Sequence, residues 1–421
     1  MAQFTTPSQL DGLFKMAYGD DVENLVPESA RLVKMIDFVP TDKETGDKYN
    51  QPVVLAQEHG VTYAAAGAGA FSLNNSIAMT MKNAQLEGSQ LLLRSALSYD
   101  AAAKASNSKK AFVKSTELLV ENMMESMTKR LELALLYGQS TTGIGNPASS
   151  ANVDATHTAI TITLLTWASG IWAGLEGATI DVLDAGVVVN TTGAVTIDSV
   201  DLDTRIITVS AAAGDITAID AVTFTTADAI VFRGALSAEM SGIDAIITNT
   251  STLFGIDASV YNLWKGNSSS AASGTLTIGK ILTGLAEAVN RGLNEKVAVF
   301  VNPITWEGLN DDLSALRMFD SSYKAGKGEQ GNEAITYHGQ NGTIDLYSHL
   351  YVKQGEAFAI PMSKTRRIGA QDVSFKTPGG REGEIFRHLE DRAGYELRVY
   401  TDQAVLIEAP ARCVKYTNIV N

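Results

Sequence analysis

Apolar residues in "SKKAFVKSTELLVENMMESMTKRLELALLYG" recur at steps of three and four. Phe112, Leu119, Val120, Met123, Met127, Leu131, Ala134 and Leu135 fall on one stripe, and Lys114, Glu121, Glu125 and Lys129 lie mainly off it. The spacing predicts one helix over 108–138, capped at Ser106 or Ser108 and ended by Gly138. About 28 residues at 1.5 Å per residue would span roughly 42 Å. A Met-rich stripe suits a partner groove or a core, and core packing is the expectation here.

Upstream the period changes from helical to extended. "KYNQPVVLAQEHGVTY" and "SLNNSIAMTMKNAQLEGSQLLLRS" flank a Gly/Ala stretch, and Ile77, Met79 and Met81 alternate as on a half-buried strand. These limbs predict a long two-stranded hairpin. Roughly 20 residues a side at ~3.3 Å each gives an upper bound of about 60 Å. A two-stranded ribbon is marginal by itself, so it is expected to lie on a neighbouring copy of the chain. Gly67, Gly69 and Ser72 stand at the spacing of a dinucleotide-binding turn. That turn needs a helix immediately after it, and the strand-like "SLNNSIAMTMK" follows instead. A flexible loop tip is the reading.

Elsewhere the pattern is mixed. Residues 1–40 read as an irregular arm punctuated by Pro7, Pro27 and Pro40, with a helical turn around Leu10–Tyr18. Residues 157–235 become rich in Thr, Val and Ile between Gly, Asp and Asn turns, which predicts an inserted small β-barrel or sandwich. "TLTIGKILTGLAEAVNRG" reads as an amphipathic helix, "KVAVFVN" as a buried strand and "PITWEGLNDDLSALRMF" as a helix that Asn302 and Pro303 cap and start. Residues 343–362 and 383–409 alternate as strands. The fold class is α+β.

Composition narrows the function. With 421 residues and 45% hydrophobic content, the chain can bury a large core, and its net charge of −14 disfavours a general nucleic-acid binder. Cys413 is the one cysteine, so intrachain disulfides and cysteine-rich zinc sites are excluded. No signal peptide and no apolar run of 18 residues is present, so the expectation is a cytoplasmic protein with no membrane contact. The histidines (His59, His157, His338, His349 and His388) have no metal-binding spacing, and no hydrolase elbow or Walker motif occurs. The acidic "DKETGDK" (Asp42, Glu44, Asp47) reads as a solvated turn. "SKTRR" is the densest basic cluster, suited to nucleic acid or a neighbour's carboxylates. "GGREGEIFRHLEDR" interleaves Arg381, Arg387 and Arg392 with Glu382, Glu384, Glu390 and Asp391, as subunit contacts that pair in register do. No catalytic, cofactor or metal residue emerges, and an enzyme is not expected.

The order of parts resembles the major capsid proteins of tailed bacteriophages, the Hong Kong ninety-seven phage fold that encapsulin nanocompartments and the herpesvirus capsid floor share. "DKYNQPVVLAQEHGVTYAAAGAGAFSLNNSIAMTMK" looks like the extended E-loop and "AFVKSTELLVENMMESMTKRLELALLYG" like the spine helix. "GIDAIITNTSTLFGIDASVYNLWKG", "AVFVNPITWEGLNDDLS" and "DRAGYELRVYTDQAVLIEAP" are similar to further capsid segments. The resemblance implies an N-terminal arm at 1–40, an E-loop at 41–95, and the spine helix with peripheral (P) domain at 96–156. The inserted β-rich domain follows at 157–235, then a peripheral connection at 236–275. An axial (A) domain occupies 276–362 and a peripheral β-ribbon with the C-terminus 363–421.

It further implies self-assembly into hexamers and pentamers of an icosahedral head around double-stranded DNA, in a virion built in the host bacterial cytoplasm. Tyr63, Gly67, Gly69, Phe71, Arg366, Arg367, Arg381, Arg387, Arg392, Glu384 and Glu390 become candidate intersubunit contacts. Implied partners are a separate scaffolding protein, since no long scaffold segment precedes the arm, a portal protein, a decoration protein and weakly held DNA. Crosslinking would need a loop lysine; Lys48 and Lys82 qualify by location alone, and none is predicted. The alternatives are an encapsulin-like compartment and an extracellular β-rich surface protein. The acidic balance predicts that the free subunit binds DNA weakly even at low salt, and tight binding in a titration would contradict this charge argument.

Overall fold

The long amphipathic run forms one helix, Lys109–Tyr137, in a computed structural model. The described residues are 30–41, 48–99, 109–310, 334–339, 342–375, 387–389 and 392–421. The expected turn at Leu10–Tyr18, the "DKETGDK" acids, Arg381, Glu384 and Glu390 lie outside them. Mid-helix the apolar stripe behaves as its spacing predicts: Met123 and Met127 are buried against Leu397 and Val399. The last two turns differ, because every residue from Leu131 to Tyr137 is buried. The local sequence "LELALLY" has no polar face apart from Glu132, so this end must be enclosed on all sides.

Gly138 follows the helix, and its role is close approach. A Cβ there would sit 2.2 Å from the Met240 carbonyl oxygen, and one on Gly242 would sit 2.7 Å from the Ala134 oxygen. The left-handed step that ends the helix belongs instead to Gln139, at φ 54.

Three sheets surround this helix end, making a mixed α+β fold. In the first, the 14-residue strand Gly394–Ile407 pairs with Thr365–Ser374 and Ser89–Ser98, and Phe38–Pro40 runs parallel to Thr365–Ser374. The stretch read as one strand through "KNAQLEGSQLLL" is therefore two. Thr80–Leu86 stays in the hairpin, Ser89–Ser98 joins this sheet, and Gly88 sits where a Cβ would meet the Asp402 carboxylate.

A second, seven-stranded sheet begins at Pro147–Asp154 and ends at Ala229–Phe232. Its two edges are joined by backbone bonds: Ile144 N donates to Ile230 O (2.8 Å) and Ile230 N donates to Gly145 O (2.9 Å). The sheet so curls on itself around Ile160, Ile180, Val195, Ile207 and Val209, the inward set of alternating strands.

The third sheet has six strands ordered Asn267–Gly274, Val414–Ile419, Ala357–Ile360, Val297–Val301, Gly342–Ser348, Ala334–Gly339. Val297–Val301 lies inside it and is buried at all five positions, as an uninterrupted apolar run requires. Helix Ile278–Asn290 packs alongside. Asn302 Oδ1 accepts from Ile304 N at 3.0 Å, capping helix Pro303–Asn310 as its sequence predicts.

One buried carboxylate ties these parts together. Glu132 accepts from the backbone N–H of Leu32 (2.6 Å) and Val33 (2.9 Å), the unpaired donors opening the short helix Arg31–Met35. It also accepts from His349 Nε2 at 2.8 Å, while His349 Nδ1 accepts from Tyr351 N at 3.2 Å. His349 is thereby assigned the neutral tautomer with its proton on Nε2. Glu132→Ala would leave three buried donors without an acceptor and is expected to destabilise the subunit by about 3 kcal/mol or more. Denaturant titration of the subunit measures this, and a loss within ~0.5 kcal/mol, the range of an ordinary surface substitution, would refute it.

Candidate assembly surface

Among the described residues the hairpin carries a concentration of exposed large apolar side chains. Its base is the antiparallel pair Tyr49–Ala56 and Thr80–Leu86, held by Val53, Leu55 and Ala84 against Trp264, Ile256 and Ala258. Regular pairing stops there, well short of the twenty residues a side that the pattern predicts. Beyond it the limbs are small-residue segments with poor strand propensity. They are joined by His59 N to Ile77 O (3.1 Å), Asn74 N to Thr62 Oγ1 (2.8 Å) and Asn74 Nδ2 to Val61 O (2.9 Å).

At the tip Ala68 N bonds Ala65 O at 3.0 Å, and Gly67 holds φ +80. That is the third position of a type II turn, where glycine is favoured. No helix follows, so the G-x-G-x-x-S spacing has no phosphate-binding context. A Cβ built on Gly67 or Gly69 meets nothing within 4 Å.

Ile77, Met79 and Met81 were expected on a half-buried face, and all three are instead exposed. With Val54, Val61, Tyr63, Phe71 and Leu73 they form an apolar series along the ribbon; Tyr63 is 90% exposed, Leu73 79% and Phe71 53%. Single exposed apolar residues are ordinary, and a series of them on one ribbon makes it the candidate interaction surface. Val61 and Leu73 were not singled out from the sequence. Their signal was available, since large apolar residues stand isolated there among small and polar ones.

The arginine candidates separate by environment. Arg366 is half-buried and 3.4 Å from Glu408, which Lys364 also approaches at 3.7 Å. Arg367 does not reach the surface: it is 5% exposed, and its guanidinium bonds Ile36 O (3.0 Å), Asp372 (2.9 Å) and Gln403 (3.0 Å). It joins the sheet to the N-terminal segment of its own subunit. Ser363 donates to Glu295 at 2.5 Å. The basic run "SKTRR" is thus largely engaged by carboxylates of its own chain. Arg387 faces Glu396 across a strand pair, and Arg392 is exposed nearby. Lys48 pairs with Glu87 at 2.6 Å, and Lys82 is exposed.

Two sets of charged groups lie beside the long helix, the first half-buried in a cleft and the second buried. Arg130 stacks 3.4 Å from the centre of the Phe232 ring, beside Glu239, in a cleft of about 360 Å³. Burial raises the Glu239 carboxyl to about 7 despite the nearby Arg130 charge. On the other side Lys415 Nζ lies 2.5 Å from Asp244 and 2.9 Å from Glu356. Burial opposes its charge, but the two carboxylates outweigh it and push the lysine upward. Lys353 is fully buried, contacts Thr142 Oγ1 (2.7 Å) and Gly143 O (2.9 Å), and is lowered to about 8 by desolvation. Among the described residues no group of three His, Cys, Asp or Glu side chains could hold a metal ion.

Because folding raises the Glu239 pKa, the folded chain holds this proton more tightly than the unfolded one. Its contribution favours the fold below about pH 4.5 and is lost as pH rises through about 7. Glu239→Gln is therefore expected to raise the melting temperature relative to wild type at pH 8 and to change it little at pH 4. Equal differences at both pH values would contradict this account.

No protein-family model and no curated protein sequence matches the chain. Solved structures do. The Cyanophage A-1(L) capsid asymmetric unit is similar over 99% of this chain and 100% of that one, at 11% identity and a TM-score of 0.59. The capsid of Cyanophage P-SCSP1u covers 98% and 94%, at 7% identity and 0.47. The holo-SrpI encapsulin complex from Synechococcus elongatus PCC 7942 covers 100% and 96%, at 9% identity and 0.44. The likeness to the first, end to end on both chains, establishes the architecture: this chain has the fold of the tailed-phage major capsid proteins.

Proposed function

We propose that the chain is a major capsid protein that assembles through hexamers and pentamers into an icosahedral head enclosing phage double-stranded DNA. The observation that carries the reading is the apolar series on the hairpin. A capsid-type subunit that exposes Tyr63, Phe71, Leu73, Ile77 and Met79 on a projecting ribbon needs another surface to cover them. A second copy is the simplest cover. In this reading residues 41–95 act as the E-loop, 96–156 hold the spine helix with part of the peripheral domain, and 276–362 form the axial domain. The glycines at 67 and 69 keep the tip small where it meets the neighbour, and Arg366, Arg387 and Arg392 sit on contact faces. Scaffolding, portal and decoration proteins are the partners such a shell requires.

Charge supports one orientation. Between Pro147 and Phe232 the chain carries ten carboxylates against Arg205 alone. A region so acidic is repelled by packaged DNA, so the curled β sheet belongs on the side of the shell away from the genome.

Electron microscopy of the expressed protein, with and without a candidate scaffold, tests the reading. Closed shells, tubes or capsomers are expected, and a persistent monomer under all conditions would refute it. Tyr63→Ser with Leu73→Ser, and separately Gly69→Val, which has open space and no left-handed backbone, should leave subunit melting nearly unchanged while abolishing or weakening assembly. Unfolding of the isolated subunit by these changes would show that the ribbon is core structure.

A further inference from the structure

Lys415, Asp244 and Glu356 form a buried triad. Lys415 Nζ is 2.5 Å from Asp244 Oδ1 and 2.9 Å from Glu356 Oε1, and these side chains are 7%, 1% and 9% exposed. Asp244 Oδ2 accepts a hydrogen bond from Ser140 Oγ. Glu356 Oε2 has no hydrogen-bond partner. The Phe358 ring lies beside the ammonium, 5.8 Å to its centre. The other buried lysine here, Lys353, is directed to Thr142 and Gly143. A lysine ammonium held against one carboxylate, with a second carboxylate within proton-transfer distance and all three side chains buried, places together the groups that amide formation needs.

We propose that Lys415 Nζ and Asp244 Cγ condense into an isopeptide bond within one chain. The Lys415 ammonium gives one proton to Asp244 Oδ1, leaving a neutral amine facing a carboxylic acid. Nζ attacks Cγ, and the charge that develops on Oδ2 is met by the Ser140 hydroxyl. Glu356 takes the second proton from nitrogen and delivers it to the Oδ1 hydroxyl. The Cγ–Oδ1 bond breaks, the Nζ–Cγ bond forms, and one water molecule leaves. No oxidant or cofactor enters.

Three features favour the step. The fold holds the groups in contact, which replaces an encounter with an intramolecular reaction. The product replaces a buried ion pair, whose desolvation is costly, by a neutral amide. Net charge in the pocket is zero before and after, because Lys353 remains to balance Glu356. The bond would join helix Ile243–Thr248 to strand Val414–Ile419, positions 171 residues apart in the chain.

Intact-mass spectrometry of the purified full-length chain is the test. Wild type is expected to be lighter than its sequence mass by one water, and trypsin should release a branched peptide joining Lys415 to Asp244. Lys415→Arg should restore the full mass, and Glu356→Gln should slow the loss of water by about a hundredfold or more, the usual range of a proton carrier. A wild-type chain at full mass, with the two peptides recovered separately, overturns the proposal. So does a loss of water that leaves Lys415 open to trypsin, which would place the dehydration elsewhere. Neither outcome depends on a variant folding.

Discussion

Burial of the last two turns of the long helix is the constraint on which the rest of the subunit depends. Leu131, Leu133, Leu135 and Leu136 belong to one cluster with Ile160 and Ile162 of the curled sheet, Phe300 and Phe358 of the six-stranded sheet, and Val405 and Leu406 of the five-stranded sheet. Each large apolar side chain fully buried contributes about 1.5–3 kcal/mol, so this one segment gives all three sheets a common reason to converge. A helix enclosed on every side leaves no solvated position for a carboxylate. Glu132 is tolerated there because two backbone donors and His349 satisfy it. Its three partners come from the N-terminal segment and from residue 349, so one side chain sets the relative position of distant parts of the chain.

The ribbon obeys the opposite logic. Only its base reaches a core, the small cluster around Trp264. Past Ala56 and Thr80 it has a few cross-limb bonds and no apolar face turned inward. Charge is distributed just as unevenly, with the curled β sheet strongly acidic and the cations of "SKTRR" engaged by Glu408 and Asp372. The described residues thus combine a densely packed body with a ribbon that is largely exposed.

Periodicity made the long helix, the strand Val297–Val301, the helix beginning at Pro303 and the β-rich middle legible, because each is set by spacing within a few residues. The same reasoning misplaced features decided by distant neighbours. Ile77, Met79 and Met81 alternate as a half-buried strand should, yet among the described residues all three are exposed. Arg367 stood in a basic run that looked solvent-facing, and the fold sends it inward to Ile36, Asp372 and Gln403. Gly138 looked like a left-handed helix stop, but the crossing segment at Met240 is what demands a glycine. The Lys415–Asp244–Glu356 triad left no trace in the sequence, since its members lie on separate elements and share no motif.

The amino-acid sequence by itself determined which segments are helical, extended or flexible, that no metal or disulfide chemistry recurs at short spacing, and the capsid-like order of parts. Those properties follow from local periodicity, capping and composition, which act over a turn or a strand. Tertiary structure alone decided which apolar residues are core and which stay exposed. It also decided which charges are spent within the subunit and where a lysine meets two carboxylates out of water. The physical reason is that burial and pairing depend on what lies across space from a side chain, and in this fold the partners stand up to a few hundred residues away in sequence, as Ile36 and Arg367 do.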